Sequence, residues 1–233
     1  MIVSIHQPHF LPWIGYLNKA VNSDIFVWLN SVQYRKNYFQ NRTLIKNTNE
    51  QPLWLTLPVH SKLGMNIDAV KIAGGSWRQK IQKTVGQCYS KTAHFAECWP
   101  TLAAALGRAT DSLDSVNYET FTAMLELLGI PGVRILRANC LDVESPDPTV
   151  RLAHMCAKLG ATRYIAGRGG RNYLRVAEFE KLGIEVIWQD FHSEEVSYPQ
   201  LGKTFVAGLS AIDCLFNVGP ERSRNLIEGA WKP

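Results

Sequence analysis

The stretch that decides the fold is residues 1–46, MIVSIHQPHFLPWIGYLNKAVNSDIFVWLNSVQYRKNYFQNRTLIK. It opens with a short β-rich run that must end near His6, because the prolines that follow cannot take part in a central strand. Apolar residues then recur at roughly helical spacing and predict a helix that begins around Pro12. The apolar run Ile25 to Leu29 predicts a second buried strand. A strand, a loop, a helix and a strand in this order are typical of a parallel sheet.

Polar side chains follow both predicted strands. His6, Gln7 and His9 come after the first strand, and Asn30 to Lys36 come after the second. Parallel sheets bind their ligands outside the carboxyl ends of the strands. We therefore expect the two polar clusters to face one crevice.

The rest of the chain predicts an α/β fold, doubly wound, with a mostly parallel sheet. Strands are predicted at residues 133–136, 163–166 and 184–188, and helices at 148–159, 170–182 and 210–217. No linker-like segment divides the chain, so we expect residues 1–233 to form a single domain.

The middle of the chain predicts a helical insert or lid around residues 76–130. It follows two strand-like runs, residues 53–59 and 67–72. Pro100 is expected to interrupt the helix predicted over residues 92–106, because proline lacks the backbone N–H that a helix interior needs.

The composition is that of an ordinary folded protein, with 46% hydrophobic and 19% charged residues. No apolar run approaches the ~20 residues of a membrane span. The N-terminus lacks the features of a secretory signal, so we expect a cytoplasmic protein. The five cysteines are widely separated and form no CxxC pair, which favours reduced, mostly buried thiols over a zinc site.

The net charge of +5 and the pI near 9.0 permit nucleic-acid binding, but the sequence contains no recognisable nucleic-acid module. The basic residues form two compact groups, one around Arg35 to Lys46 and one from Arg168 to Arg175. Compact groups suit a phosphorylated or carboxylated small molecule better than a nucleic acid.

The segment Gly167 to Tyr173, GRGGRNY, lies between a predicted strand and a predicted helix. Gly167 and Gly169 allow a ligand to approach the backbone closely, and Arg168 and Arg171 can clamp an anion at the helix start. The segment matches neither a Walker loop nor a complete GxGxxG motif. The alternative is a tight turn with solvated arginines.

The spacing of His6 and His9, H-x-x-H, also occurs in nucleotidyltransferases, whose paired histidines stabilise phosphates. A protonated or hydrogen-bonding imidazole can stabilise developing negative charge. The alternative is a pair of structural imidazoles. Metal ligation would require a third ligand, which no spacing identifies.

Further candidates lie in the segment after the second strand. Arg42 is a candidate catalytic residue, and Asn41 a candidate substrate-binding residue. Gln33 and Tyr34 can orient a sugar or an amide, although Tyr34 can equally anchor the loop by packing. Asp213, on a largely apolar predicted helix, is expected either to form a structural salt bridge or to orient an arginine of the site.

The chain resembles the WbqC-like family of bacterial proteins over nearly its whole length. The resemblance rests on His6-Gln7-Pro8, Leu11-Pro12-Trp13, Gly15-Tyr16, Ser23-Asp24, Phe26-Val27, Val32-Gln33-Tyr34, Asn41-Arg42, Trp54-Leu55-Thr56, Pro58-Val59, Gly160-Ala161-Thr162, Tyr164, Gly167, Tyr173-Leu174, Tyr198-Pro199-Gln200, Phe205, Leu209-Ser210, Asp213, Leu215-Phe216-Asn217 and Gly219.

The resemblance implies a place in the biosynthesis of O-antigen, other surface glycans or specialised metabolites, without one reaction for the family. It also leads us to expect an aspartate where this chain has Asn30. An amide does not ionise, which argues against a carboxylate base or metal ligand at that position.

Taken together, the residues favour group transfer. The sequence contains no GxSxG elbow and no paired catalytic carboxylates, whereas His, Arg and Asn side chains suit positioning and electrostatic stabilisation. The leading hypothesis is a transferase of surface-glycan or related biosynthesis that acts on a phosphorylated or nucleotide-linked small molecule; acyl or aminoacyl transfer to an amino sugar is the reaction that the family resemblance implies. A nucleotide or a coenzyme A thioester is the expected co-substrate. The alternatives are a nucleotidyltransferase or adenylate-forming ligase that uses the His6 and His9 loop, and a noncatalytic binding or scaffold protein.

Overall fold

The computed structural model describes residues 1–130 and 132–233. The strands are β1 (Ile2–His6), β2 (Ile25–Trp28), β3 (Arg42–Lys46), β4 (Pro52–Thr56), β5 (Val59–His60), β6 (Lys71–Ile72), β7 (Arg134–Arg137), β8 (Arg163–Ala166) and β9 (Glu185–Trp188). The helices are α1 (Ile14–Val21), α2 (Trp77–Tyr89), α3 (Phe95–Arg108), α4 (Leu113–Leu127), α5 (Pro148–Lys158), α6 (Ala177–Glu180) and α7 (Ala211–Gly229).

A five-stranded sheet in the order β7-β2-β1-β8-β9 forms the centre of the protein. All its neighbouring strands pair in parallel, so the predicted α/β fold with a mostly parallel sheet is confirmed. The chain moves outward from β1 through β2 to β7, then returns to the other side of β1 and continues through β8 to β9. The order therefore reverses between β1 and β8, which makes their carboxyl ends the topological switch point of the sheet.

Two apolar layers cover the two faces of the sheet, as the alternation of side chains along β2 shows. Phe26 and Trp28 belong to a large core with residues of α1, α4 and α7, whereas Ile25 and Val27 belong to a smaller core with residues of α5 and α6. In parallel sheets both faces are covered by crossover helices, and the strands are accordingly apolar on both sides. Trp28 is fully buried and stacks on Phe121 of α4, with 5.3 Å between the ring centroids.

The long connection from β2 to β7 contains the antiparallel β3–β4 hairpin and then α2, α3 and α4. Side chains of all three helices, including Trp77, Leu102 and Phe121, belong to the large core. A lid function for residues 76–130 stays a prediction.

Three local predictions are wrong. α3 continues through Pro100 instead of being interrupted there, and its buried face includes Cys98 and Leu102 on both sides of the proline. Residues 67–72 form a 3₁₀ turn, Ile67–Ala69, and only a two-residue strand. The predicted helix 170–182 is a 3₁₀ turn over Arg168–Asn172 followed by the four-residue α6. Adjacent glycines disfavour a regular helix at that place.

Asp213 of α7 does not form the predicted salt bridge. Its Oδ2 accepts a hydrogen bond of 2.9 Å from the Tyr89 hydroxyl, and within residues 1–130 and 132–233 no Lys, Arg or His nitrogen lies within 4.0 Å of its carboxylate. Burial raises the pKa of Asp213, because desolvation disfavours the charged carboxylate.

We predict that Gly15→Ala destabilises the protein by about 1–3 kcal/mol, the usual cost of overpacking a core. A Cβ at Gly15 would lie 2.4 Å from the Trp13 ring and 2.8 Å from Phe191, so the start of α1 would have to shift. Urea unfolding measures the change. Gly86→Ala in α2 is the control: no atom lies within 4 Å of its added Cβ, so helix propensity should leave that variant as stable as the wild type or slightly more stable. Equal stability of both variants would contradict the prediction.

Candidate functional site

The loop after β1 and the turn after β8 leave the sheet side by side. Ser4 pairs with Ile165 across the two strands, and the same register, two residues further along, places His6 opposite Gly167. On its other side His6 pairs with Trp28 of β2. The histidine loop and the Gly167 turn therefore both begin at the switch point, where doubly wound sheets bind their ligands.

His6 is partly exposed, and its tautomer follows from one contact. Its Nδ1 lies 2.9 Å from the backbone oxygen of Gln7, which can only accept, so Nδ1 carries the hydrogen and Nε2 of the neutral ring is the acceptor. Burial and the nearby Lys19 lower the pKa of His6 to about 3. The imidazole is therefore neutral at pH 7. The nitrogen of His6 that remains available, Nε2, is an acceptor, and a phosphate-stabilising role of His6 stays a prediction.

His9 is buried and held between aromatic rings. Its ring lies 5.0 Å from Tyr16 and 5.5 Å from Phe39, nearly parallel to both, and 4.8 Å from the His6 ring. Both ring nitrogens of His9 lack a hydrogen-bond partner in the described part of the chain. Burial, His6 and Lys19 hold the pKa of His9 well below its usual value. An unpaired buried polar group costs roughly 1–3 kcal/mol, so these nitrogens point to a missing partner.

Gln40, which the sequence analysis did not single out, fixes the side chain of Gln7. Its amide nitrogen donates to the side-chain oxygen of Gln7 at 2.7 Å, and its own side-chain oxygen accepts from the backbone N–H of Arg35 at 2.7 Å. Asn117 of α4 donates to the Gln40 backbone oxygen at 2.8 Å. The loops after β1 and β2 are thereby tied together, and the amide group of Gln7 is left as a positioned donor.

Cations and aromatic rings surround the two histidines. The Arg42 guanidinium lies 4.0 Å above the Trp54 ring, which is 5.6 Å from Phe39. The guanidinium of Arg35 lies 4.6 Å above Tyr38, whose ring is 5.8 Å from His9. We call these five residues, Arg35, Tyr38, Phe39, Arg42 and Trp54, the rim.

Tyr173 follows the Gly167 turn, and its side chain is about half exposed. Desolvation raises the pKa of its phenol, and the charge of Tyr38 adds to the rise.

The two arginines of the turn contact another part of the chain. Arg168 donates to the backbone oxygen of Phe191 at 3.5 Å and lies 3.4 Å from the His192 ring. The Arg171 guanidinium lies 5.1 Å above Trp188, at the end of β9. Both side chains thus lie beside the chain after β9, and Gly169 between them is exposed. The arrangement does not bring this pair to the histidines.

The remaining candidates have structural contacts. Asn41 is buried and donates to the Leu57 backbone oxygen at 2.9 Å. Tyr34 is buried in the large core, so the packing alternative describes its ring. Gln33 is exposed and pairs through its backbone with Asn66. These three residues shape the loop that carries the rim.

A family profile described as the WbqC-like protein family matches residues 7–225. The chain belongs to the WbqC-like family. It is also 34% identical over 223 residues to the uncharacterized protein Rv1507c of Mycobacterium tuberculosis, a match that covers 94% of each chain.

In this WbqC-like protein, a carboxylate lies beside Asn30 although position 30 itself has none. Asp114 of α4 accepts hydrogen bonds from Trp28 Nε1 at 2.7 Å and from Asn30 Nδ2 at 3.2 Å, and it pairs with Arg137 of β7. Arg137 in turn lies 4.5 Å above the Tyr118 ring. The network joins the carboxyl ends of β2 and β7, next to the histidine loop. Position 30 is therefore a donor to a carboxylate and not a second carboxylate.

Lys19 of the WbqC-like chain is, after Gln40, a second residue that sequence reasoning missed. It lies on α1 and is 2% exposed, and its ammonium donates one hydrogen bond, to the Ile5 backbone oxygen at 3.1 Å. Burial lowers the pKa of Lys19 to about 7. The available signal was a single lysine among the apolar residues of a short helix that directly follows the histidine loop.

Three further features concern metal ligands, membrane-spanning helices and the cysteines. Within residues 1–130 and 132–233, no group of three or more His, Cys, Asp or Glu side chains is arranged to hold a metal ion. None of the helices in the described part is both long and apolar enough to cross a membrane. Four cysteines are buried and Cys140 is exposed, all as free thiols.

We predict that Lys19→Met raises the free energy of unfolding at pH 7 by on the order of 1–4 kcal/mol, because it replaces a buried charge with an apolar chain of similar length. The Lys19 pKa is about 7 in the fold and 10.5 ordinarily. Between these values the unfolded wild type binds more protons, so wild-type stability rises with pH.

The gain of Lys19→Met should therefore shrink as the pH rises from 7 towards 10, which urea unfolding at several pH values measures. Lys83→Met is the control, because Lys83 is exposed on α2. A gain of Lys19→Met that stays constant over this pH range would contradict the assignment of the effect to the buried ammonium.

Proposed function

We propose that this WbqC-like protein is a cytoplasmic group-transfer enzyme of surface-glycan or related biosynthesis. Its substrate is a phosphorylated or nucleotide-linked small molecule, and the reaction is transfer of an acyl or aminoacyl group to an amino sugar. A nucleotide or a coenzyme A thioester serves as the co-substrate. The observation that carries the proposal is the pair of unpartnered nitrogens on buried His9, beside the free acceptor nitrogen of His6.

The distribution of unsatisfied polar atoms supports a ligand at this place. Buried side-chain atoms without a partner in the described residues are found on His9 after β1, on Asn30 and Asn41 after β2, on Arg42 of β3, on Asn117 of α4 and on Asp213 of α7. Native proteins pair nearly all such groups with protein, water or ligand. His9 and Asn30 follow the carboxyl ends of β1 and β2, where a polar ligand can satisfy them.

The rim suits a substrate that has both an aromatic ring and anionic groups. Trp54 is 39% exposed and lies 5.6 Å from Phe39, and a nucleobase or an adenine that stacks on an aromatic side chain gains about 1–3 kcal/mol. The Nε of Arg42 has no partner, and a guanidinium binds phosphate more strongly than an uncharged donor does. Nucleotide-linked sugars and coenzyme A thioesters both combine these groups.

His6 supplies the proton acceptor for acyl transfer. The amino nitrogen of the acceptor sugar attacks the acyl carbon, the new C–N bond forms, and the bond from that carbon to the thiol or phosphate leaving group breaks. The proton of the attacking nitrogen moves to Nε2 of His6, whose Nδ1–H is fixed by the Gln7 oxygen. An anion beside His6 raises its pKa from the low value of the free protein towards that of a useful base. His9 and Gln7 orient the acceptor through hydrogen bonds.

The first experiment is a thermal-shift screen with nucleotides, nucleotide-linked amino sugars and coenzyme A thioesters, since a ligand that binds only the folded form raises the melting temperature. We predict that Arg42→Ala weakens the best ligand about 10- to 100-fold, because it removes a charge-assisted hydrogen bond. Arg108→Ala is the control, because Arg108 is exposed on α3 and pairs with Glu119. Equal binding of the ligand by both variants would show that Arg42 does not contact it.

The second experiment tests the role of His6 with mass spectrometry of the amino sugar. We predict that His6→Gln lowers the rate of acylation at least about 100-fold, the lower end of what a general base contributes, while ligand binding changes little. His154→Gln, a substitution on the solvent side of α5, should leave the rate unchanged.

The alternative functions give different results in these assays. Pyrophosphate release that depends on magnesium and ATP or CTP would favour the nucleotidyl-transfer reading of His6 and His9. Binding without turnover, unaffected by His6→Ala and lost in Arg42→Ala, would favour a scaffold. Unchanged acylation in His6→Gln would disprove its role as the base.

A further inference from the structure

The ammonium of Lys19 lies at the switch point without an anionic partner. Its Nζ is 3.1 Å from the Ile5 backbone oxygen and 5.9 Å from the centre of the Tyr164 ring. A Cβ added to Gly167 would lie 4.0 Å from the same nitrogen. Lys19 therefore reaches from α1 to the point where β1 and β8 separate, and its nitrogen lies close to the backbone of Gly167.

The titratable groups that face Lys19 are neutral. They are His6 and His9 from the loop after β1, Tyr164 from β8 and Cys156 from α5. Within the residues that the structure describes, no carboxylate lies within 4.0 Å of the ammonium. Buried charges in proteins are normally paired. A charged Lys19 would therefore be stabilised by an anion from outside the chain.

We propose that Lys19 is a positioning residue for the anionic group of the substrate. A phosphate or carboxylate that binds between the histidine loop and the Gly167 turn stabilises the charged ammonium beneath it. The inference rests on the proposed function, because it names the place where the charged part of that substrate binds. Lys19 acts through its field, since its nitrogen is covered by Gly167 and the Ile5 carbonyl.

The unpartnered nitrogens of His9 give this subsite an independent support. They are buried in the loop after β1, on a ring that lies 4.8 Å from the His6 ring, and the charge of Lys19 contributes to the lowered pKa of His9. An anion beside Lys19 offsets that charge and gives the imidazole an acceptor to donate to. One bound anion thus gives the Lys19 ammonium a counter-charge and the His9 imidazole a hydrogen-bond acceptor.

The coupling has a defined pH dependence. Burial lowers the pKa of Lys19 to about 7, so the free ammonium loses its proton as the pH rises above 7. A nearby anion raises this pKa again. Anion binding above pH 7 therefore takes up a proton, and the affinity should fall by up to about tenfold per pH unit.

The test uses sulfate, which stays fully ionised between pH 7 and 9, so that the probe does not titrate. Sulfate binding is measured by thermal shift at pH 7, 8 and 9 against sodium chloride of equal ionic strength. The wild type should show saturable binding that weakens about tenfold per pH unit above pH 7. Lys19→Met should lose most of the sulfate effect and all of its pH dependence. Lys91→Met, at an exposed position before α3, should behave as the wild type.

A second variant separates charge from packing. Lys19→Arg keeps a charge that does not titrate in this range, so it should bind sulfate with little pH dependence. Circular dichroism and a cooperative melting transition confirm that each variant is folded. Absence of saturable sulfate binding in the wild type, or equal binding and pH dependence in the wild type and Lys19→Met, would overturn the proposal.

The sulfate-binding result can be judged separately from the acylation assay that tests the proposed function. If the sulfate coupling is absent while acylation still depends on His6, the role of Lys19 is disproved and the proposed function stands. If the coupling is present while none of the nucleotide-linked sugars or thioesters is turned over, the anion subsite stands and the proposed reaction is disproved.

Discussion

The parallel pairing of β1 with both β2 and β8 is the constraint on which the rest of this structure depends. β1 is five residues long, with Val3 and Ile5 in the smaller core, and its two neighbours are more than 130 residues apart along the chain. Because the chain winds away from β1 in both directions, the loop after β1 and the turn after β8 leave the sheet at its topological switch point. The same pairing brings the turn at Gly167 to within one strand spacing of His6, although 160 residues separate them along the chain. The geometry of the site is therefore a consequence of the sheet order.

Sequence patterns predicted the sheet well because its strands have strong local signals. The β8 strand has the predicted bounds, Arg163–Ala166, and β1 ends at His6 where the prolines required it. The secondary structure of the segment after β8 was harder to predict. Its two adjacent glycines were interpreted as the start of a regular helix, but they allow a 3₁₀ turn that directs Arg168 and Arg171 towards the chain after β9. Which neighbour an arginine contacts depends on tertiary packing, which local spacing does not encode.

The residues that sequence reasoning missed are those whose function depends on burial. Gln40 holds Gln7 through contacts between two loops, and Lys19 is a buried cation only because α1 packs onto β1 and β8. A polar residue in an amphipathic segment is normally assigned to the solvent side, because long charged side chains are almost never fully buried unless paired. The burial of Lys19 is an exception to this rule, and it becomes visible only when the positions of the surrounding strands are known. Residues whose environment conflicts with their local sequence pattern are found mainly at functional sites.

The charge balance at the switch point decides how the histidine loop can work. Lys19 and the desolvation of the loop keep His6 and His9 neutral. In the free protein, therefore, neither imidazole carries a positive charge that attracts an anion. The site contains a buried ammonium, two neutral rings and a rim with two guanidinium groups, and the nearest described carboxylate network, at Asp114, is already occupied by Trp28, Asn30 and Arg137. This balance favours an anion over a cation as the ligand. In the proposed reaction, an anionic substrate would raise the pKa of the neighbouring His6, so substrate binding and the basicity of His6 would be coupled through the same electrostatic interaction.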